Sequence, residues 1–217
     1  MYLGLMGTRK QGLRELKKHR TRENISLHAT RLFMERGFDN VTIAEIAAAA
    51  QVSKMTVTNY FPRKEDLAWE LNERFADMPA KAVRARRPGE GALAAVRRAC
   101  LEQVAEQDPM AGFSGPSFAR MVADSPVLVA RLLHFHDYRE KSLARVLAEE
   151  TGATENDITH RLVAAQLNAV LRLMFEETVR LTLEGLANDV ITEEVTRAAE
   201  IAFDALEPSF GDYAVRV

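Results

Sequence analysis

From Ser53 to Phe61 the chain reads Ser-Lys-Met-Thr-Val-Thr-Asn-Tyr-Phe. Wound as a helix, this run puts Val57 and Phe61 four residues apart on one face, where they can pack inward with Phe38, Ile43, Ile46 and Val52. Lys54, Met55, Thr56, Thr58, Asn59 and Tyr60 are left outward. Apart from Met55, these side chains are hydrogen-bonding types suited to phosphates and base edges. A lysine can donate to guanine, an asparagine can pair bidentately with adenine, and a threonine methyl can touch thymine. This is the chemistry of recognition, not of bond breaking. Motifs for catalysis are missing. His134 and His136 are two residues apart and point to opposite sides of a helix, so they make no metal pair. There is no H-E-x-x-H, paired-cysteine or P-loop pattern. Phe113-Ser114-Gly115 lacks the glycine spacing of a nucleophile elbow. The one cysteine, Cys100, sits among apolar helical neighbours and reads as a buried, inert thiol. No enzyme activity, metal or cofactor is expected.

The elements that must hold such a helix are legible on either side of it. Ile25, Ala29, Leu32 and Phe33 recur at helical spacing within residues 22–36, and Gly37 is placed to stop that helix. Thr42-Ile43-Ala44-Glu45 is a capping box opening a short helix over 43–50. Ser53 can cap a second over 54–60, ended by Pro62. Two short helices joined by about four residues make a helix-turn-helix, whose second helix fits a DNA major groove.

Residues 37–67, GFDNVTIAEIAAAAQVSKMTVTNYFPRKEDL, resemble the signature of TetR-type transcriptional regulators. The resemblance runs without gaps through Gly37, Phe38, Thr42, Ile46, Ala47, Val52, Ser53, Thr56, Val57, Tyr60, Phe61, Lys64, Glu65 and Leu67. It implies that Thr42 and Lys64 contact phosphates near the starts of their helices, where backbone amides also attract anions. Two positions depart from the signature. Gln51 replaces the usual turn glycine and calls for a left-handed backbone or a slightly different turn. Thr58 replaces a tyrosine that commonly touches a phosphate in the family.

The remainder also reads as helix, and no sustained strand pattern appears. Helices are expected over 64–78, with a kink or break at Pro79, and over 91–106, 116–123, 127–150, 156–186 and 192–206. The fold class is all-α: a three-helix, helix-turn-helix DNA-binding domain (22–67) follows a basic N-terminal arm (1–21). A connecting helix of about 64–79 leads to a larger ligand-binding and dimerisation domain (80–217). By resemblance, helices 156–186 and 192–206 pack against their twins as a four-helix bundle. The apolar stretch Leu162, Val163, Leu167, Val170, Leu171, Leu173, Met174 and Phe175 suits burial on more than one side. Asn168 and Arg172 share a face. They could line a pocket, pair across a dimer or be solvated. The family also implies an effector pocket among residues 90–186. Candidate walls are Trp69, Cys100, Phe113, Phe118, Met121, Leu132, Phe135, Tyr138 and Phe175, with Asn168 and Arg172. The effector would be hydrophobic or aromatic, although such side chains also serve as ordinary core.

Charge sharpens the division. Over 217 residues the net charge is −2, but residues 1–64 carry +7 and residues 65–217 carry −9. Arg9, Lys10, Arg14, Lys17, Lys18, Arg20 and Arg22 precede the motif and could follow a phosphate strand, Arg20 and Arg22 above all. Gly4, Gly7 and Gly12 suggest an arm that is mobile when free. No apolar run is long enough to cross a membrane. The expectation is a cytoplasmic homodimeric repressor that binds a palindromic operator in double-stranded DNA and is released by a small molecule. The alternatives are an all-α small-molecule-binding protein or enzyme with an incidental helix-turn-helix, and an adaptor without a ligand response.

Overall fold

The computed structural model describes residues 6–69, 72–154 and 156–216, and side chains within 15–69, 77–154 and 156–216. Among the described residues it is all-helical. The chain divides into two units, residues 1–70 with 124–128, and residues 71–123 with 129–217.

The first unit holds α1 (Met6–Arg36), α2 (Ile43–Ala49), α3 (Lys54–Tyr60) and a 3-10 turn (Lys64–Ala68). Its core is Ile25, Ala29, Phe33, Phe38, Val41, Ile46, Val57, Phe61 and Leu67, all buried. Gly37, at φ +83°, ends α1, and its amide bonds to the Phe33 carbonyl. Ile43 and Val52 are only partly buried, so the expected inward set is tighter at its centre than at its edges. Two expectations change. The helix expected to begin near residue 22 begins at Met6, so the segment read as a mobile arm is helical from there on. Gly7 and Gly12, at about 1 kcal/mol each against alanine, do not interrupt it. The helix expected over 64–78 is broken at Trp69, whose φ −125° and ψ 48° are not helical. Leu67 is buried and its carbonyl accepts from the Ser26 hydroxyl of α1, so packing on α1 sets this turn rather than continuation of a helix.

The second unit holds α4 (Asn72–Arg84), α5 (Ala92–Ala105), a 3-10 turn (Pro109–Ala111), α6 (Pro116–Ala123), most of α7 (Pro126–Thr151), α8 (Thr159–Leu183) and α9 (Asn188–Phe210). Pro79 and Pro208 lie inside α4 and α9 without ending them, although each removes a backbone donor from its ladder. α9 is longer than the expected 192–206, and α8 is shorter than 156–186. Leu93, Val96, Val104, Leu143, Leu147, Val163, Leu167, Ile191, Val195 and Phe203 form the core. The last described segment of the chain is stitched to the α4–α5 turn. The Ala92 amide bonds to the Tyr213 carbonyl (3.0 Å) and Gly89 to Arg216 (2.8 Å). The buried Arg86 reaches the Ala214 carbonyl (2.8 Å) and Glu150 (2.7 Å).

Candidate nucleic-acid interface

Local hydrogen bonds shape the two short helices. At α2, the Thr42 hydroxyl accepts from the Glu45 amide, and the Glu45 carboxylate accepts from the Thr42 amide at 2.8 Å. The carboxylate also takes the Thr42 hydroxyl at 2.7 Å and Arg36 at 2.7 Å. These hydrogen bonds, Thr42's first, pull its pKa down to about 2. The turn then closes with Val52 bonded to the Ala47 carbonyl and Asn24 of α1 donating to the Ala50 carbonyl at 3.0 Å. Gln51 adopts φ +56°, the left-handed backbone, one of the two possibilities open at its position. Ser53 caps α3 by accepting from the Thr56 amide at 3.0 Å, and the Ser53 and Thr56 hydroxyls share a further bond at 2.8 Å.

The residues expected to meet DNA therefore fall into two groups. Lys54, Met55 and Asn59 stand exposed on α3, and Arg20 is exposed on α1. Thr58 is exposed but turns its hydroxyl back onto the Lys54 and Met55 carbonyls, at 3.3 and 3.1 Å. Thr56 and Tyr60 are half-buried. The second group is already engaged by the fold. Arg22 donates to the Tyr60 carbonyl at 2.9 Å, and its guanidinium lies 4.5 Å from the Phe61 ring centre. Lys64 donates to the Phe38 carbonyl at 2.6 Å and stands 4.4 Å from that ring, and burial lowers its pKa. Spacing alone did not separate these two cations from the exposed ones. The signal available was the aromatic residues Phe38 and Phe61, against which a cation can stack.

The residues considered for an effector site are also divided. Trp69 falls in the first unit and the other candidates in the second. Cys100, Phe113, Met121, Phe135 and Phe175 are buried, Phe118 and Leu132 partly so, and Tyr138 is 49% exposed. Burial pushes the Cys100 thiol up to about 11. Asn168 and Arg172, four residues apart, do not act together. Asn168 is buried and bonded to Arg139 (2.8 Å) and Glu140 (3.1 Å), whereas Arg172 is exposed and paired with Glu176 (2.7 Å). His136 is buried and His134 exposed, as the two-residue spacing requires. A groove of about 340 Å³ between α4 and α5, lined by Met78, Ala82, Ala85 and Ala99 among others, contains none of the expected wall residues. Among the described residues no cluster of three His, Cys, Asp or Glu could hold a metal, and no helix is long and apolar enough to cross a membrane.

Comparison with known proteins extends this picture beyond the interface. The sequence pattern described as "Bacterial regulatory proteins, tetR family" matches residues 27–71. The chain is 30% identical over 209 residues to the HTH-type transcriptional regulator TcmR of Streptomyces glaucescens, covering 93% of this chain and 90% of the relative. Its fold is similar to that of a regulator from Syntrophomonas wolfei assigned to the TetR family (TM-score 0.59, 19% identity, 86% of this chain and 96% of that one). The structure of SmeT in complex with triclosan is also similar (TM-score 0.57, 16% identity, 91% and 94%). A helix-turn-helix with capped, outward-facing polar residues, joined to a larger helical unit and matched along nearly its whole length to such a regulator, places this chain in the TetR family of transcriptional regulators.

Proposed function

We propose that this regulator works as a homodimeric repressor: α3 of each protomer reads one half of a palindromic operator, and a small molecule bound in the second unit releases it. The observation that carries the reading is α3 itself, capped at Ser53 and presenting exposed Lys54, Met55 and Asn59. Arg20 would add a phosphate contact, Thr42 and Ser53 offer helix N-termini to the backbone, and Thr56, Thr58 and Tyr60 flank the groove. Two half-sites double the contacts and give the operator its symmetry. Leu162 and Leu173 of α8 and Ile201 of α9 are 47%, 53% and 66% exposed, an apolar surface that a second copy would cover. Release requires an effector that binds one dimer state better than the other.

Selection from a random DNA library, followed by binding measurements at several salt concentrations, tests this. The expected result is a palindromic site bound by a dimer, with Lys54→Ala and Asn59→Ala weakening it in a folded protein. Leu173→Glu with Ile201→Glu should give monomers and lose the operator. A protein that stays monomeric and selects no sequence overturns the reading.

A further inference from the structure

The second unit contains a buried polar network that joins α7 to α8. Arg139 of α7 is 3% exposed, His136 of α7 3% and Asn168 of α8 6%. The Arg139 Nε donates to Asn168 Oδ1 at 2.8 Å, and an Nη lies 3.0 Å from His136 Nδ1. Burial holds His136 down to about 3, so it is neutral and its Nδ1 accepts. Both of these hydrogen bonds thus run from a cation to a neutral acceptor. Burial also lowers Arg139 itself to about 10, and the nearby Cys100 thiol partly offsets that. A buried guanidinium is a poor source of stability, since apolar residues of similar volume often serve as well or better. Groups perturbed in this way gather at functional sites.

The surroundings suit a flat ligand. The Phe175 ring stands edge-on to His136, with centroids 5.9 Å apart. His136 and Arg139 reach from α7 to α8 through their side chains, meeting Phe175 and Asn168 there. Rotating such side chains opens room at less cost than separating close-packed backbones.

We infer that Arg139, oriented by Asn168 and His136, is the anchor for an anionic aromatic effector: its guanidinium takes the ligand's carboxylate, sulfonate or phenolate while Phe175 and Cys100 flank the ring. This rests on the effector-pocket reading above and names the chemical class it left open. The guanidinium fork is matched to such anions, and a hydrogen bond from it to a charged acceptor is stronger than one to a neutral amide or imidazole.

Two fluorescent probes test it on the full-length protein. 8-Anilino-1-naphthalenesulfonate and N-phenyl-1-naphthylamine differ by the sulfonate alone. The expected result is one site per protomer with the sulfonate probe bound about tenfold or more tighter, the scale of one hydrogen bond to a charged group. Arg139→Met should erase that preference while leaving the neutral probe within about twofold. Arg139→Lys, which keeps the cation, should retain part of the preference and serves if the methionine variant does not fold. Equal affinity for the two probes, or a preference surviving in Arg139→Met, overturns the anion anchor but leaves the pocket standing. Failure of both probes to bind the native protein stoichiometrically overturns the pocket and the anchor together.

Discussion

Arg22 offers the sharpest separation of two roles that a cation beside a DNA-reading helix can play. Its hydrogen bond to the Tyr60 carbonyl and its place over the Phe61 ring tie the end of α3 to α1. Tyr60 is the last residue of α3, where helix carbonyls have no partner of their own. Arg22→Met keeps most of the apolar stem and removes both contacts. The hydrogen bond to a charged donor contributes about 1.5–3 kcal/mol, and a partly exposed cation–π contact about 0.5–1 kcal/mol. Because Arg22 is half-buried, the lower ends apply, giving a loss of about 2 kcal/mol. For a unit of this size that lowers the melting temperature by about 10 °C. The single tryptophan, Trp69, lies in the first unit and reports its melting by fluorescence. Operator affinity should fall, but the slope of log affinity against log salt should not change, because no phosphate contact has gone. Arg20→Ala is the contrast: no change in melting, and a slope shallower by about 0.9. An unshifted melt for Arg22→Met together with that loss of slope would refute the reasoning and make Arg22 a phosphate ligand.

Other consequences follow from the same geometry. Gln51→Gly relieves a left-handed backbone that costs a non-glycine residue about 1–2 kcal/mol. Set against the roughly 0.5–1 kcal/mol of chain entropy that glycine loses, the variant should melt slightly higher, and a lower melt would contradict the strain. Glu45 has its folded pKa held at about 2, below the ordinary 4.5, so its contribution is full above about pH 4.5 and is lost as the pH falls toward 2. Acid titrations followed by Trp69 fluorescence should therefore show the native protein losing its advantage over Glu45→Gln across that window. Gly91→Ala would place a methyl carbon 2.4 Å from the Gly211 carbonyl oxygen, which should cost about 2–3 kcal/mol in thermal unfolding. Cys100 should resist iodoacetamide at pH 8 until the protein is unfolded, as followed by mass spectrometry.

The sequence by itself determined the two short helices α2 and α3, the caps that begin them and the glycine that ends α1. Thr42 with Glu45, Ser53 with Thr56, and Gly37 with Phe33 are partners three or four residues apart, so their geometry is local and their spacing is the message. The left-handed turn at Gln51 and the inward face of Val57 and Phe61 follow from the same short range. What the long cations do was decided only by tertiary structure. Arg22 meets Tyr60 across 38 residues, Lys64 meets Phe38 across 26, and Arg139 meets Asn168 across 29. Arginine and lysine carry an apolar stem and a charged tip, so their residue type fits a phosphate, a carbonyl or an aromatic face equally well. The extent of α9 to Phe210 likewise differs from expectation, since Pro208 within it does not end the helix. Asn168 and Arg172 show the limit most plainly: one helical face in the sequence, yet one side chain buried in a network and the other in solvent, because only the neighbouring helix α7 determines which part of that face is covered.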